Sequence, residues 1–171
     1  MKLLQGIIIG LILCTASGVF AADQDIRTVY DRANESFNEG KYDAAIQDYN
    51  KVIAQYPDLI DAYYSRGLAF YKKGKYDEAI SDFGRAISER PDQYDVLNSR
   101  GLAYLRKGEY ERAIIDFTKV LALNPRLIDT YYNRGIAQRG LGKYDLAIED
   151  YDKVLSLRPS DTNAYMSRGI A

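Results

Sequence analysis

The four prolines of this chain stand 34 residues apart, at Pro57, Pro91, Pro125 and Pro159. Proline disfavours helix in the residue before it, so each one closes a helical segment. A fixed period of this length signals stacked repeat units rather than one irregular core. Other columns keep the same register: Gly40, Gly74, Gly108 and Gly142; Tyr42, Tyr76, Tyr110 and Tyr144; Ala45, Ala79, Ala113 and Ala147; Tyr49, Phe83, Phe117 and Tyr151. The pair Arg-Gly recurs at Arg66-Gly67, Arg100-Gly101, Arg134-Gly135 and Arg168-Gly169.

Each unit reads as two helices. In the second, Asp61 to Lys73 places Tyr63, Gly67 and Phe70 at helical spacing, and Gly74 breaks that helix. Tyr76 to Glu89 then carries Ile80, Phe83 and Ile87 on one face, and Pro91 ends it. Asp58, Asp92 and Ser160 follow their prolines and are expected to cap the next helices. Small residues such as Gly67 and Ala79 let the two helices approach closely while the aromatic residues fill the space beside them.

The run Tyr63-Tyr64-Ser65-Arg66-Gly67-Leu68-Ala69-Phe70, then Gly74-Lys75-Tyr76-Asp77-Glu78-Ala79-Ile80, Phe83, Ala86 and Pro91, resembles the tetratricopeptide repeat. The likeness covers residues 26 to 171. It departs where that family most often has Leu, which is Arg66, Arg100, Arg134 and Arg168 here. The first unit is the most degenerate, with Arg32-Ala33 for Arg-Gly and Glu35 in the column of Ala69, Ala103 and Ala137. The resemblance implies an all-α, right-handed superhelical solenoid of antiparallel helix pairs. Four full repeats are expected at about 26–59, 60–93, 94–127 and 128–161, with a partial first helix at 162–171. No polar capping helix is visible: either 162–171 serves as an incomplete cap or the chain is a fragment of a longer array, and in both cases the C-terminal face is expected to be sticky.

Composition excludes much chemistry. There is no His, and the single Cys is Cys14. A His-based triad, a disulfide framework and an ordinary zinc site are therefore not expected. Formal charge is −1, which argues against nucleic acid, whose binders need a basic surface. Gly40-Lys41-Tyr42 lacks the further residues of a phosphate loop. Neither enzymatic activity nor a cofactor or metal is expected. Lys2 followed by an apolar run from Leu3 to Cys14, and then small residues up to Ala21, reads as a signal peptide over 1–21. The repeat domain would then occupy 22–171, in a periplasmic or secreted protein without membrane insertion after cleavage. An uncleaved N-terminal anchor is the alternative.

Each full unit also carries an Arg and an Asp sixteen residues apart: Arg32/Asp48, Arg66/Asp82, Arg100/Asp116 and Arg134/Asp150. The recurrence predicts a structural ion-pair ladder, formed within a unit or across to the next. In the resembled family the first helix of each unit lines a concave groove. Carried onto this chain, that face comprises Tyr30, Asn34 and Phe37; Asp61, Tyr64, Leu68, Tyr71 and Lys72; Asp95, Asn98, Leu102 and Arg106; and Asp129, Tyr132, Ile136 and Arg139. An acidic edge (Asp61, Asp95, Asp129) would face a basic one (Lys72, Arg106, Arg139). Such a groove suits a peptide or protein segment with apolar anchors. A clamp for chaperone-tail carboxylates, known in one subgroup, is not matched: Asn34 fits one member, but Tyr30, Ser65, Asp95 and Ser99 stand at the others. The expectation is a protein-binding adaptor of the cell envelope, with a self-associating assembly subunit as the alternative.

Overall fold

In the computed structural model, residues 26–171 are described, and the expected leader lies outside them. Among the described residues there are nine α-helices and no strand, arranged as consecutive antiparallel pairs. Helix α1 covers residues 26–38. It is followed by α2 (Tyr42–Gln55), α3 (Ile60–Lys72), α4 (Tyr76–Glu89), α5 (Tyr94–Lys107), α6 (Tyr110–Leu123), α7 (Ile128–Gly140), α8 (Tyr144–Leu157) and α9 (Thr162–Ile170). The chain forms two compact parts, one ending at Ala62 and the other running over Tyr63–Ala171.

The punctuation works as the period predicts. Gly40, Gly74, Gly108 and Gly142 all have φ between 70° and 77°. The need is clearest at Gly108, just past α5. Its N–H donates to the Leu105 carbonyl at 3.1 Å, and the Glu109 N–H donates to the Tyr104 carbonyl at 2.9 Å. This pair of bonds closes a helix through one left-handed residue, which glycine adopts without a Cβ penalty.

Asp92 and Ser160 are not the N-caps observed. Each proline and the residue after it form a turn, and the helix starts two residues later. Gln93 and Leu127 therefore precede α5 and α7, and neither makes a side-chain cap bond. After Ser160, α9 does have a side-chain cap, but from Asp161 rather than Ser160. The Asp161 carboxylate accepts from the Ala164 N–H at 3.0 Å. Packing rather than capping holds α5 and α7 in register.

In the N-terminal part, Ala33, Ala45 and Val52 are fully buried around Tyr49. In the C-terminal part, the buried layer is Ala69, Ala79, Ala103, Ala113, Ala137 and Ala147 with the rings of Phe83, Phe117 and Tyr151. Here each helix packs on its chain neighbours, α4 on α5 through α8 on α9, and α5 also touches α7. At Gly67, Gly101 and Gly135 the two helices of a pair come very close. A Cβ built on Gly67 would lie 2.7 Å from the Phe83 ring, and on Gly101 or Gly135 it would lie 2.7 Å from the Phe117 or Tyr151 ring. Real Cβ atoms do not approach so closely, and a 0 %-exposed ring in a packed layer has nowhere to retreat.

Gly101→Leu should therefore overpack the α5–α6 contact by about 3 kcal/mol and lower the melting temperature by about 6–12 °C. Circular dichroism melting checks this. An unchanged melt would remove the close-approach argument.

Candidate functional site

The Arg–Asp ladder forms inside each unit. Arg32 Nε and Nη2 reach the Asp48 carboxylate at 2.6 and 2.9 Å. In the C-terminal part, Arg66 reaches Asp82 at 2.8 and 2.6 Å, Arg100 reaches Asp116 at 2.8 and 2.8 Å, and Arg134 reaches Asp150 at 2.8 and 2.7 Å. Each is a two-bond fork of Nε and Nη2 on one carboxylate, a geometry that fixes orientation as well as charge. All four aspartates are buried. The guanidinium groups also rest on rings: Arg66 over Tyr63 at 5.5 Å, Arg100 over Tyr104 at 5.8 Å and Arg134 over Tyr131 at 5.7 Å. The forks tie the first helix of a unit to its second.

Burial and pairing divide two equivalent carboxyls. Arg32 holds Asp48 down to about 2, with Lys51 helping against the opposing effect of burial. For Asp82, burial outweighs the pull of Arg66 and pushes the carboxyl above its ordinary value. Asp48 pairing thus adds stability above the ordinary carboxylate pKa and loses it as pH falls through about 2. Ionised Asp82 has the opposite sign: its burial cost is relieved as pH falls through the raised value. A carbon-detected NMR titration should show Asp82 protonating well before Asp48. Coincident midpoints would contradict this.

The residues expected to line a groove belong to both parts. In the N-terminal part, Tyr30 packs against Tyr49 with centroids 5.8 Å apart. The Tyr49 hydroxyl donates to Asn34 Oδ1 at 2.7 Å, so Asn34 serves the interior of its unit. Tyr30 and Asp61 line one depression of about 1030 Å³ together with Ile26, Arg27 and Pro57.

In the C-terminal part, the first helices stand side by side and are linked by their polar side chains. Arg106 Nε donates to the Tyr71 hydroxyl at 3.4 Å, joining α5 to α3. Thr130 Oγ1 donates to Asn98 Oδ1 at 3.2 Å, joining α7 to α5. The hydroxyls of Tyr132 and Ser167 are 3.1 Å apart, joining α7 to α9. Tyr71, Asn98, Arg106 and Tyr132 therefore lie on one side. Tyr64, Leu68, Leu102 and Ile136 are half-buried beside them, while Lys72, Asp95, Arg106 and Asp129 are exposed. Tyr64 and Tyr132 also lean on the core rings Phe83 and Tyr151, at 5.9 and 5.7 Å. Asp95, Asn98 and Asp129 share a recess of about 270 Å³ with Arg158, whose Nη2 is 3.4 Å from Asp129.

The basic edge is shorter than expected. In the repeat register, Lys72 and Arg106 are followed by Gly140, and Arg139 stands one position earlier, in the column of Tyr71. A Cβ on Gly140 would lie 2.7 Å from the Tyr110 ring, so packing forbids a cation there. Arg139 is half-buried and lines a second recess of about 380 Å³ with Tyr110, Ile136, Gly140, Tyr144 and Ile170.

The sequence reading also missed a mismatch between columns. Asn34 supplies the acceptor for the Tyr49 hydroxyl, whereas the equivalent residue facing Tyr151 is Ile136. The Tyr151 hydroxyl is buried with no partner at hydrogen-bonding geometry, as is Gln138 Oε1. Burial pushes the Tyr151 pKa up, and the nearby Arg139 guanidinium opposes it. The signal was present in the sequence, because Asn34 meets Tyr49 while Leu68 and Leu102 meet Phe83 and Phe117. Tyr151→Phe should leave thermal stability equal or raise it by up to about 1 kcal/mol, since no made bond is lost. A clear loss in calorimetry would show that Arg139 bonds the hydroxyl.

Among the described residues, no group of three or more acidic, His or Cys side chains could hold a metal ion, and no helix is long and apolar enough to cross a membrane. Family profiles described as tetratricopeptide repeat match residues 64–127 and 128–161, and one described as TPR repeat matches residues 33–74. A search of curated proteins finds no match. Among solved structures, a crystal structure of MamA protein is similar at TM-score 0.81 and 26% identity, covering 85% of this chain and 79% of that one. The first TPR of Spaghetti (RPAP3), bound to the HSP90 peptide SRMEEVD, is similar at TM-score 0.62 and 30% identity, covering 65% of this chain and 88% of that one.

Proposed function

Because the chain belongs to the tetratricopeptide-repeat family, we propose that it is a non-enzymatic adaptor that holds a protein segment along the first helices of its C-terminal part. The observation that carries this reading is the row of side chains linked through Tyr71–Arg106, Asn98–Thr130 and Tyr132–Ser167. These bonds pin polar and aromatic groups in place before a ligand arrives, which lowers the ordering cost of binding. Half-buried Leu68, Leu102 and Ile136 offer apolar contact between them. Exposed Lys72 and Arg106 would meet acidic residues of the ligand, and Asp95 and Asp129 basic ones. A peptide with apolar anchors and charges of both signs fits this surface.

The RPAP3 relative, bound to an HSP90 peptide, supports peptide capture by this kind of domain. The ligand here differs in chemistry, because Ser65, Asp95 and Ser99 replace the cations and amide that would grip a terminal carboxylate. The leader-like residues 1–21 support a place in the cell envelope or outside the cell.

The test is affinity capture from envelope extract with the full chain and with its Lys72→Glu/Arg106→Glu variant, both exposed positions. The variant should keep its helical circular dichroism and lose most of the captured partner, a fall of about tenfold or more. Equal capture by both would move the site off these helices.

A further inference from the structure

Residues that recur every 34 positions serve the architecture, so departures from the period mark what is particular to one place. Several departures converge between α5 and α7. Tyr30, Tyr64 and Tyr132 form one column and lean on the core rings of their units at 5.8, 5.9 and 5.7 Å, but the third unit has Asn98 there. Tyr132 packs on the cluster that holds Ala164, whereas the residue in the Ala164 column beside Asn98 is Thr130, which donates to Asn98 Oδ1 at 3.2 Å. Arg126 follows its proline where Asp58, Asp92 and Ser160 follow theirs, and Asn124 stands 34 residues before Arg158.

The recess of about 270 Å³ described above opens at this spot, lined by Tyr94, Asp95, Asn98, Arg126, Asp129 and Arg158. Its walls come from α5, α7, the loop between α6 and α7, and the residue just past α8. Two carboxylates face two guanidinium groups, so the walls carry no net charge. Their pairing is uneven. Asp129 meets Arg158 at 3.4 Å, and Arg158 also meets Asp161 at 3.1 Å. The cation that would serve Asp95 in the same way is replaced by Asn124, whose Oδ1 accepts from the Arg126 N–H at 3.2 Å. The Asp95 carboxylate and the Arg126 guanidinium are both exposed.

The other units state what fits. Their occupant of the column is a tyrosine ring, and guanidinium groups of this molecule repeatedly rest on rings, as Arg112 on Tyr104 at 5.6 Å and Arg85 on Tyr63 at 6.0 Å. We propose that the recess is a subsite for a tyrosine side chain of the bound segment. The ring enters where the chain's own column lacks one, beside Asn98 and under the Arg126 guanidinium, and the hydroxyl donates to the Asp95 carboxylate. A phenylalanine would leave Asp95 unserved, and a lysine or arginine would meet the like charges of Arg126 and Arg158. The proposal rests on the adaptor reading above and names one residue that its ligand must present.

The probe is N-acetyl-tyrosinamide, titrated at millimolar concentration into the isotope-labelled full chain and followed by NMR. A saturable shift of the Asn98 side-chain amide is expected. N-acetyl-phenylalaninamide should bind about fivefold more weakly, for want of the bond to a carboxylate. Asp95→Ala, at an exposed position, should erase that difference, and Arg126→Glu should turn the preference toward N-acetyl-lysinamide. The Lys72→Glu/Arg106→Glu chain should bind the tyrosine probe as the parent does, which separates this test from the capture test above. No saturable shift at Asn98, or equal affinity for the tyrosine, phenylalanine and lysine probes, overturns the proposal and leaves capture through Lys72 and Arg106 standing. Tyrosine preference retained while the parent and the Lys72→Glu/Arg106→Glu chain capture equally supports the subsite and moves the rest of the ligand off that basic edge.

Discussion

Everything in this molecule follows from how closely two helices of a pair can approach. At Gly67, Gly101 and Gly135 the second-helix ring sits where a Cβ would be. That contact sets the separation of the helices and buries Phe83, Phe117 and Tyr151 completely. It also places Asp82, Asp116 and Asp150 within fork distance of the Arg beside each glycine. An ion pair this deep is a weak source of net stability, since desolvation offsets much of its attraction. Its two-bond geometry instead fixes the rotation of one helix against the other. Packing supplies the stability, and the fork supplies the register.

The candidate binding surface depends on the same arrangement. Second helices carry the buried rings and the aspartates, so the first helices are left to carry the surface. The side chains that link them, Tyr71 to Arg106 and Thr130 to Asn98, are neither core nor fully solvated. They turn a row of separate helices into one patterned face. The acidic and basic ends of that face are unequal, because Gly140 gives up the cation position to admit Tyr110.

Most of the fold was legible in the sequence because its information is periodic. The 34-residue proline column, the glycine turns and the Arg/Asp spacing of sixteen each depend on local geometry, and each has its expected place in the structure. What was not legible depends on side chains that break the period. The N-caps failed because Pro91-Asp92 is consumed by a turn, leaving Gln93 at the helix start. The Arg139 position needed the Gly140–Tyr110 contact to be understood. The stranded Tyr151 hydroxyl required two columns to be read against each other, Asn34 to Ile136 beside Tyr49 to Tyr151. For the site, the sequence identified residues on one face, and the structure added which of them are held by neighbours and which are open.

The neighbour-to-neighbour packing of the C-terminal part has a kinetic meaning. Its contacts join helices that are adjacent in the chain or next but one, as α5 on α7. The chain therefore closes only short loops to build each layer, and topologies of this kind fold fast. Nucleation is not confined to one place, because any pair with its glycine, ring and fork can form first and template the next. The same locality means that opening an end costs one interface rather than the whole domain, so amide exchange should be graded along the array instead of uniform.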